Sequence, residues 1–587
     1  MLIEPRDGDA EDDASSTKRH SLIAIAGTLL GEINLPKLAL AWVILALLPG
    51  ILLGVAPLLA TAWLGTVSTR ITALAGIGPL LVLAGIAAIG WFGFRPLFRV
   101  VERSFWALNS LAVQPGYVLV REGMRHFAER FLAIGASEDS RARLRSLTAL
   151  AAGLSAAIVA GGFAAAIWPA TRWAGEFSDL AQPLRLVVPA LANTASVMSA
   201  YLAVASLAWG IADAVMDQPR DLAGFDEAAT FGRQWRVAHL SDIHVVGERY
   251  GFRIESGRAG PRGNERLRLV LEKLAAIHAE TPLDAVLITG DMTDAGRSAE
   301  WAEFLDALAL HPELAARTLI LPGNHDINIV DRANPARLEL PTSPGKRLRQ
   351  MRTLSAMEAV QGGRVHVVDK AKGEIGLPLS ERLESERPAI AAFADAGSLR
   401  LSLGLSALWE EVFPLVLPPA EADGLGILLL NSNAETNFSF TNALGLVAEE
   451  DMQAMLAALR QHPKARWIIA LHHHPVEYPR EAKAFSERIG TALINGSRFV
   501  RQLKPHARQL VAMHGHRHID WIGRCGPLRI VSAPSPVMEA TDDEPTAFYI
   551  HRLGAGLDGG LALLAPERVE MMPGGQQKPG TISQPLS

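Results

Sequence analysis

The sequence predicts two parts of different fold class: an α-helical membrane part up to about residue 215, and a layered α/β part from about residue 234. Two observations predict this division. Long uncharged apolar stretches fill the first part, whereas in the second, short β-branched runs alternate with amphipathic stretches. A chain of 587 residues is also too long for one domain.

In chain order, residues 1–37 open with MLIEPRDGDAEDDASSTKRH, acidic and polar before any apolar run. This is no secretory signal, and it reads as a disordered tail. The run 21–31 is too short to cross a bilayer and is expected to lie along its surface. Residues 38–64, 71–94, 146–171 and 186–212 contain no Asp, Glu, Lys or Arg. Each exceeds the ~20 residues that a helix needs to cross a ~30 Å hydrocarbon layer. The expectation is a transmembrane domain of four helices over 38–215, because soluble core helices of that length carry charge on one face.

The stretch 104–120 is shorter and holds Asn109, Gln114 and Pro115, so it is expected to be interfacial or re-entrant. Arg99, Arg103, Arg121, Arg125, Arg130, Arg141, Arg143 and Arg145 crowd the connection between the second and third spans. The other loops carry Arg70, Arg172 and Arg185. Positive charge marks the cytoplasmic side. A multi-pass protein of the cell (inner) membrane is expected, with the second part in the cytoplasm, joined through a linker at 216–233.

Beyond the linker, WRVAHL, AVLITG, TLILPG, RWIIAL and QLVAM read as buried strands, with further strands at 426–433 and 528–535. Residues 265–280, 298–309 and 449–461 have helical spacing. The segment 331–425, with Arg337, Lys346, Arg347, Arg349 and Arg352 followed by Pro- and Leu-rich stretches, reads as an inserted helical cap that attracts anionic groups. Residues 556–587 read as an extension, Pro/Gly/Gln-rich and unstructured from 566. The net charge of −5 comes without a clustered basic face, so nucleic acid is not an expected partner. Cys525 is the single cysteine, which excludes an intrachain disulfide and a cysteine metal site.

The chemistry lies where the strand-like runs end. SDIH supplies Asp242 and His244, GDMTD supplies Asp291 and Asp294, and GNHD supplies Asn324, His325 and Asp326. HHHP supplies His472, His473 and His474, and GHRH supplies His516 and His518. Carboxylate, imidazole and amide oxygen are the donors that a pair of ions about 3.5–4 Å apart requires. Gly290, Gly323 and Gly515 each permit a sharp turn or close approach beside a donor. Adjacent strand residues face opposite ways, so the three consecutive histidines do not by themselves say which one is a ligand.

The ordered pattern D-x-H, GD-x-x-D, GNH-D, H-x-P, G-H-x-H resembles the calcineurin-like metallophosphoesterase superfamily over roughly residues 234–555. The resemblance implies two packed β-sheets flanked by helices, and two divalent or trivalent transition-metal ions (Mn, Fe or Zn). It implies that Asp242, His244 and His518 hold one ion, that Asn324, His473 and His516 hold the other, and that Asp291 touches both. His473 is preferred because it stands two before Pro475. His325 would be the catalytic residue, facing the scissile phosphate and either protonating the leaving oxygen or stabilising the developing charge, with Asp294, Asp326, His472 and His474 supporting the ligands.

The implied activity is hydrolysis of a phosphodiester or phosphomonoester by attack of a metal-bridging hydroxide. A cyclic-nucleotide or glycerophosphodiester phosphodiesterase is a narrower alternative, and a metal-binding membrane sensor or scaffold without turnover is the other class. Retention of His325, which acts on the leaving oxygen, favours the enzyme.

Overall fold

The computed structural model describes residues 1–7, 48–73, 114–130, 137–176, 179, 183–227, 233–247, 262–330, 339, 343–436, 439–479, 491, 493–537 and 545–571. They fall into two compact units, Asn34–Met216 and Met1–Ile33 with Asp217–Ser587.

In the first unit the described helices run over Leu48–Ala73, Gln114–Glu129, Glu138–Ile167 and Val187–Ala214. The last two correspond to the expected third and fourth spans. Among the described residues, two helical segments, Asp139–Ala170 and Leu184–Ala214, are long and apolar enough to cross a membrane. They pack closely because small residues line the seam: a Cβ on Gly153 would stand 2.6 Å from the Ser206 carbonyl oxygen and 2.8 Å from Gly210 Cα. Of the expected first span, 48–64 is helical and 38–47 lies outside the described residues, as does the second span except for 71–73. Within the stretch 104–120, residues 114–120 open a helix that continues to Glu129, and 104–113 lie outside the described residues. Ion pairs of Arg121 with Glu122 and Asp213, and of Arg125 with Glu122, tie that helix internally and to the helix Val187–Ala214.

The second unit is built on two sheets among the described residues. The strands are β1 (Pro219–Asp221), β2 (Gln234–Leu240), β3 (Ala285–Ile288), β4 (Thr318–Ile320), β5 (His366–Asp369), β6 (Glu374–Pro378) and β7 (Leu415–Leu417), followed by β8 (Leu425–Leu429), β9 (Arg466–Ala470), β10 (Leu510–His514), β11 (Trp521–Cys525), β12 (Leu528–Ser532), β13 (Thr546–Ala555) and β14 (Leu561–Met571). One sheet has the order β1-β11-β12-β10-β9-β8-β7-β5-β6, the other β14-β13-β2-β3-β4. The strands β2, β3 and β4 are parallel, as are β8, β9, β10 and β12. Ligand sites form beyond the carboxyl ends of parallel strands, where connections to helices must open the backbone. A single apolar core joins the sheets, including Val237, Leu287 and Leu319 of one and Ile427, Ile468 and Val511 of the other.

Four boundary expectations are corrected. The linker 216–233 contains β1, which pairs antiparallel with β11, and Leu222 and Phe225 pack on the core. A three-residue Pro-Arg-Asp strand has no apolar alternation to betray it. The segment 331–425 is no cap in its described part: β5, β6 and β7 extend the large sheet, and the helix Pro344–Gln361 buries Leu348, Met351, Leu354 and Met357. Its cations turn inward, Lys346 to Glu435, Arg349 to Glu339 and Arg352 to the Gly296 carbonyl.

The extension beyond 555 folds as β14, paired with β13 through Met571, with Leu561 and Leu563 in the core; residues 572–587 lie outside the described residues. Finally, Met1–Asp7 is docked on this unit, with Leu2 and Ile3 buried. The remainder of the expected tail, 8–37, lies outside the described residues.

Candidate metal centre

Every residue singled out in the five motifs stands at or just beyond the carboxyl end of a parallel strand: Asp242 and His244 after β2, Asp291 and Asp294 after β3, Asn324 to Asp326 after β4, His472 to His474 after β9, His516 and His518 after β10. Among the described non-glycine residues, those with positive φ are Asp242 (57°), His244 (50°), Asp291 (52°), His516 (79°) and His518 (51°). Left-handed backbone costs an L-residue energy, and Asp and His tolerate it better than bulkier residues. Here the turns are imposed by backbone bonds between loops. Asp242 N donates to Gly290 O (3.0 Å), and Ile243 N and His244 N both donate to Asp291 O (2.8 and 2.9 Å).

Gly290 shows why glycine stands beside a donor. Its φ is +101°, and a Cβ there would lie 2.4 Å from His472 Nδ1. At Gly323 a Cβ would lie 2.1 Å from Asp291 Oδ1. Both glycines are therefore required by the approach of side chains from another strand end.

Among the described residues, three sets of donor atoms could each hold a metal ion, with the atoms of a set within 4.8 Å of one another: Asp242, His244 and His518; His244, Asp294 and His325; Asp291, His472 and His516. Asp291 lies between the first and last. Its Oδ2 is 3.7 Å from His244 Nε2 and 3.3 Å from His472 Nε2. His472 Nε2 also lies 3.0 Å from Asn324 Oδ1 and 3.1 Å from His516 Nδ1. Carboxylate and imidazole donors converge in these sets, the donor types that suit a transition-metal ion. The buried His516 Nε2 also has no hydrogen-bond partner in the structure.

Of the three consecutive histidines, the structure brings His472 rather than the expected His473 to Asp291 and Asn324. His472 continues the pleat of Ile468 and Ala470, which face the shared core, so its ring reaches Asp291 on the other sheet. His473 Nδ1 lies 2.9 Å from Ser432 Oγ, and its ring stands 4.4 Å from that of His516. Counting back from Pro475 selects a position without knowing the pleat. Ser432, unnoticed in the sequence, accepts the backbone N–H of both His472 and His473 (3.1 Å each), and the signal for it was the NSN that ends the run GILLLNSN.

The supporting residues are held as follows. His472 Nδ1 is 2.7 Å from the Thr289 carbonyl, which makes Nδ1 the donor and leaves Nε2 toward Asp291. Asp294 Oδ1 stands 3.6 Å from His244 Nδ1. Asp326 accepts from Thr293 N (2.9 Å), Thr293 Oγ1 (2.7 Å) and Gly323 N (2.8 Å), locking the second motif to the third. His474 Nε2 is 3.4 Å from Glu477 Oε1, and its ring stacks on Tyr478 at 5.7 Å, beside the ligands rather than among them. His325 N donates to Asp291 Oδ1 (2.8 Å) and its Nδ1 lies 2.7 Å from the Asp294 carbonyl. Its side chain is half-buried, while Asp291, Asn324 and His472 are buried.

Charges in so closed a site are strongly coupled. Burial disfavours the charged Asp242, yet the neighbouring His518 and His472 outweigh it and hold the carboxyl at about 2. For His472 burial opposes protonation, but Asp291 prevails and raises the imidazole to about 9. Burial, reinforced by the charge on Asp291, pushes Asp326 up to about 7.

Residues 236–388 match the family model for calcineurin-like phosphoesterase. A search of curated proteins finds no match. Among solved structures, a dimetal phosphatase from Danio rerio is similar at 13% identity and a TM-score of 0.31, covering 58% of this chain and 98% of its own. A purple acid phosphatase from yellow lupin seeds is similar at 12% identity and a TM-score of 0.27, covering 58% of this chain and 52% of its own.

The reassignment within HHHP has a direct check. His472→Ala is expected to lose metal from the Asp291 side of the centre, whereas His473→Ala keeps its metal content, read by elemental analysis of the purified variants. Loss in His473→Ala with retention in His472→Ala would reverse the assignment.

Proposed function

We propose that the protein is a membrane-anchored, dinuclear, metal-dependent hydrolase of phosphodiester or phosphomonoester bonds, a reading supported by the match of residues 236–388 to the calcineurin-like phosphoesterase model and by the clustered donor atoms. The observation that carries this reading is the place of the Asp291 carboxylate, between His244 on one side and His472 on the other. In this reading Asp242, His244 and His518 hold one ion, Asn324, His472 and His516 hold the second, and Asp291 contacts both. When bound, the ions activate water as the nucleophile and stabilise charge gathering on the phosphoryl oxygens.

His325 supplies what the ions do not. A carbonyl oxygen can only accept, so the contact of Nδ1 with the Asp294 carbonyl makes Nδ1 the donor and fixes the ring. With Nδ1–H held in this way, the ring delivers a proton from Nε2 as the imidazolium and is left as the neutral Nδ1–H tautomer when the oxygen leaving phosphorus takes that proton. Partial exposure of His325 among buried neighbours suits a group that meets substrate. A sensor or scaffold has no use for such a group.

His325→Ala is expected to retain its metal and to lower turnover of a generic phosphodiester by about 10²–10⁴-fold. The deficit should shrink for a nitrophenyl ester, whose leaving group needs no proton. Equal deficits for good and poor leaving groups, or metal loss in the variant, would contradict the role. Absence of metal-dependent turnover in the unaltered protein would instead favour the sensor.

Membrane anchoring is supported by the surface of the first unit. The most apolar windows of Asp139–Ala170 and Leu184–Ala214 are 11% and 22% buried, the reverse of core helices. Ile158, Val159, Phe163, Val188 and Val204 all point outward. The arginines of 99–145 set the orientation proposed here, in the cell (inner) membrane with the catalytic unit in the cytoplasm. A reporter joined after Val215, or inserted near Ser137, should be active only if it works in the cytoplasm; activity of an exported reporter at either place would overturn the orientation.

A further inference from the structure

Leu2 and Ile3 are 6% and 5% exposed and belong to the core that joins the two sheets. Their backbone is held by one hydroxyl. Ser355 Oγ accepts from Leu2 N (3.0 Å) and Ile3 N (2.8 Å) and donates to Ile3 O (3.1 Å), which uses its full bonding capacity. Arg387 Nη1 donates to Met1 O (3.2 Å), and Arg6 bonds to Asp306. The heptapeptide thus touches three helices, Ser298–Ala309, Pro344–Gln361 and Arg387–Ala396.

The middle of these helices leads to the metal centre. Within a turn or two of Ser355, Arg349 Nε donates to Ile327 O (3.2 Å), Arg352 Nη1 to Gly296 O (3.0 Å) and Thr353 Oγ1 to Asp326 O (3.3 Å). At the helix end, Gln361 exchanges two hydrogen bonds with the backbone of Ile320 in β4 (2.6 and 2.9 Å). One face of the helix therefore grips the loops that carry Asp294 and Asn324 to Asp326, and the other grips Met1–Asp7. Without the peptide, buried Ser355 would lose its bonds and the apolar slot around Leu2 and Ile3 would open to water.

We infer that Met1–Asp7 is an intramolecular clamp, the occupant of a slot in the catalytic unit that keeps the helix Pro344–Gln361 seated behind the metal-site loops. The segment that precedes the membrane part is in this view a structural piece of the catalytic unit. The inference rests on packing and holds whatever the substrate is.

The test is hydrogen exchange on the full chain in detergent, comparing the unaltered protein with Ile3→Asp, which places a charge in the slot, and Ser355→Ala, which removes the shared hydroxyl. Segments covering 344–361 and 320–327 should exchange faster by about tenfold or more in Ile3→Asp and to a lesser degree in Ser355→Ala, while 262–280 is unchanged. A synthetic MLIEPRD peptide added in trans should restore protection to Ile3→Asp, and a scrambled peptide should not. If Ile3→Asp does not fold, Ser355→Ala decides alone. Unchanged exchange over 344–361 in Ser355→Ala, or equal rescue by the scrambled peptide, would overturn the clamp.

Discussion

The carboxylate of Asp291 is the constraint on which the second unit depends. It stands on the loop after β3 in one sheet and meets His472 from the other, so the two sheets must be in register to within a hydrogen bond for it to lie between His244 and His472. The backbone accommodates this at a cost. Asp291, Asp242, His244, His516 and His518 all take left-handed φ, at a cost of order 1–3 kcal/mol for each such residue, so the surroundings must determine them strongly. The bonds of Asp242, Ile243 and His244 to the following loop, of Gly515 N to His472 O and of Ser535 Oγ to Asp242 O do so. The core beneath is apolar and continuous, which lets so polar a cluster be held rigidly.

Much of the site was legible because its chemistry forces local signals. A strand that delivers a ligand at its end must be a short apolar run, and a position where an added Cβ would lie 2.1 Å from a carboxylate oxygen demands glycine, as at Gly323. Those constraints write themselves into consecutive residues. The identity of the ligand within HHHP does not, because it depends on which face of β9 meets the other sheet, and a spacing counted from Pro475 carries no such information. Ser432 was hidden for the same reason: its role is set by a partner 41 residues away.

The boundaries were legible in proportion to their periodicity. Helices at 298–309 and 449–461 lie where their apolar spacing places them. The heptapeptide Met1–Asp7, the strand β1 and the segment from 343 to 417 were misread because polar or irregular sequence acquires its structure from distant partners. Leu2 and Ile3 are a short apolar pair in an acidic stretch, and the partner of their backbone is Ser355, 353 and 352 residues away. The cations of the helix Pro344–Gln361 resembled a substrate-facing cluster in the sequence, yet Arg349 and Arg352 bind the loops behind the metal centre.

The measurement that tests the central claim most directly is the metal stoichiometry of Asp291→Ala beside the unaltered protein. If one carboxylate completes both sites, the unaltered protein holds close to two transition-metal ions per chain, and the variant loses affinity for both together. Retention of one tightly held ion in Asp291→Ala would contradict the shared carboxylate and, with it, the account of why the two sheets meet as they do.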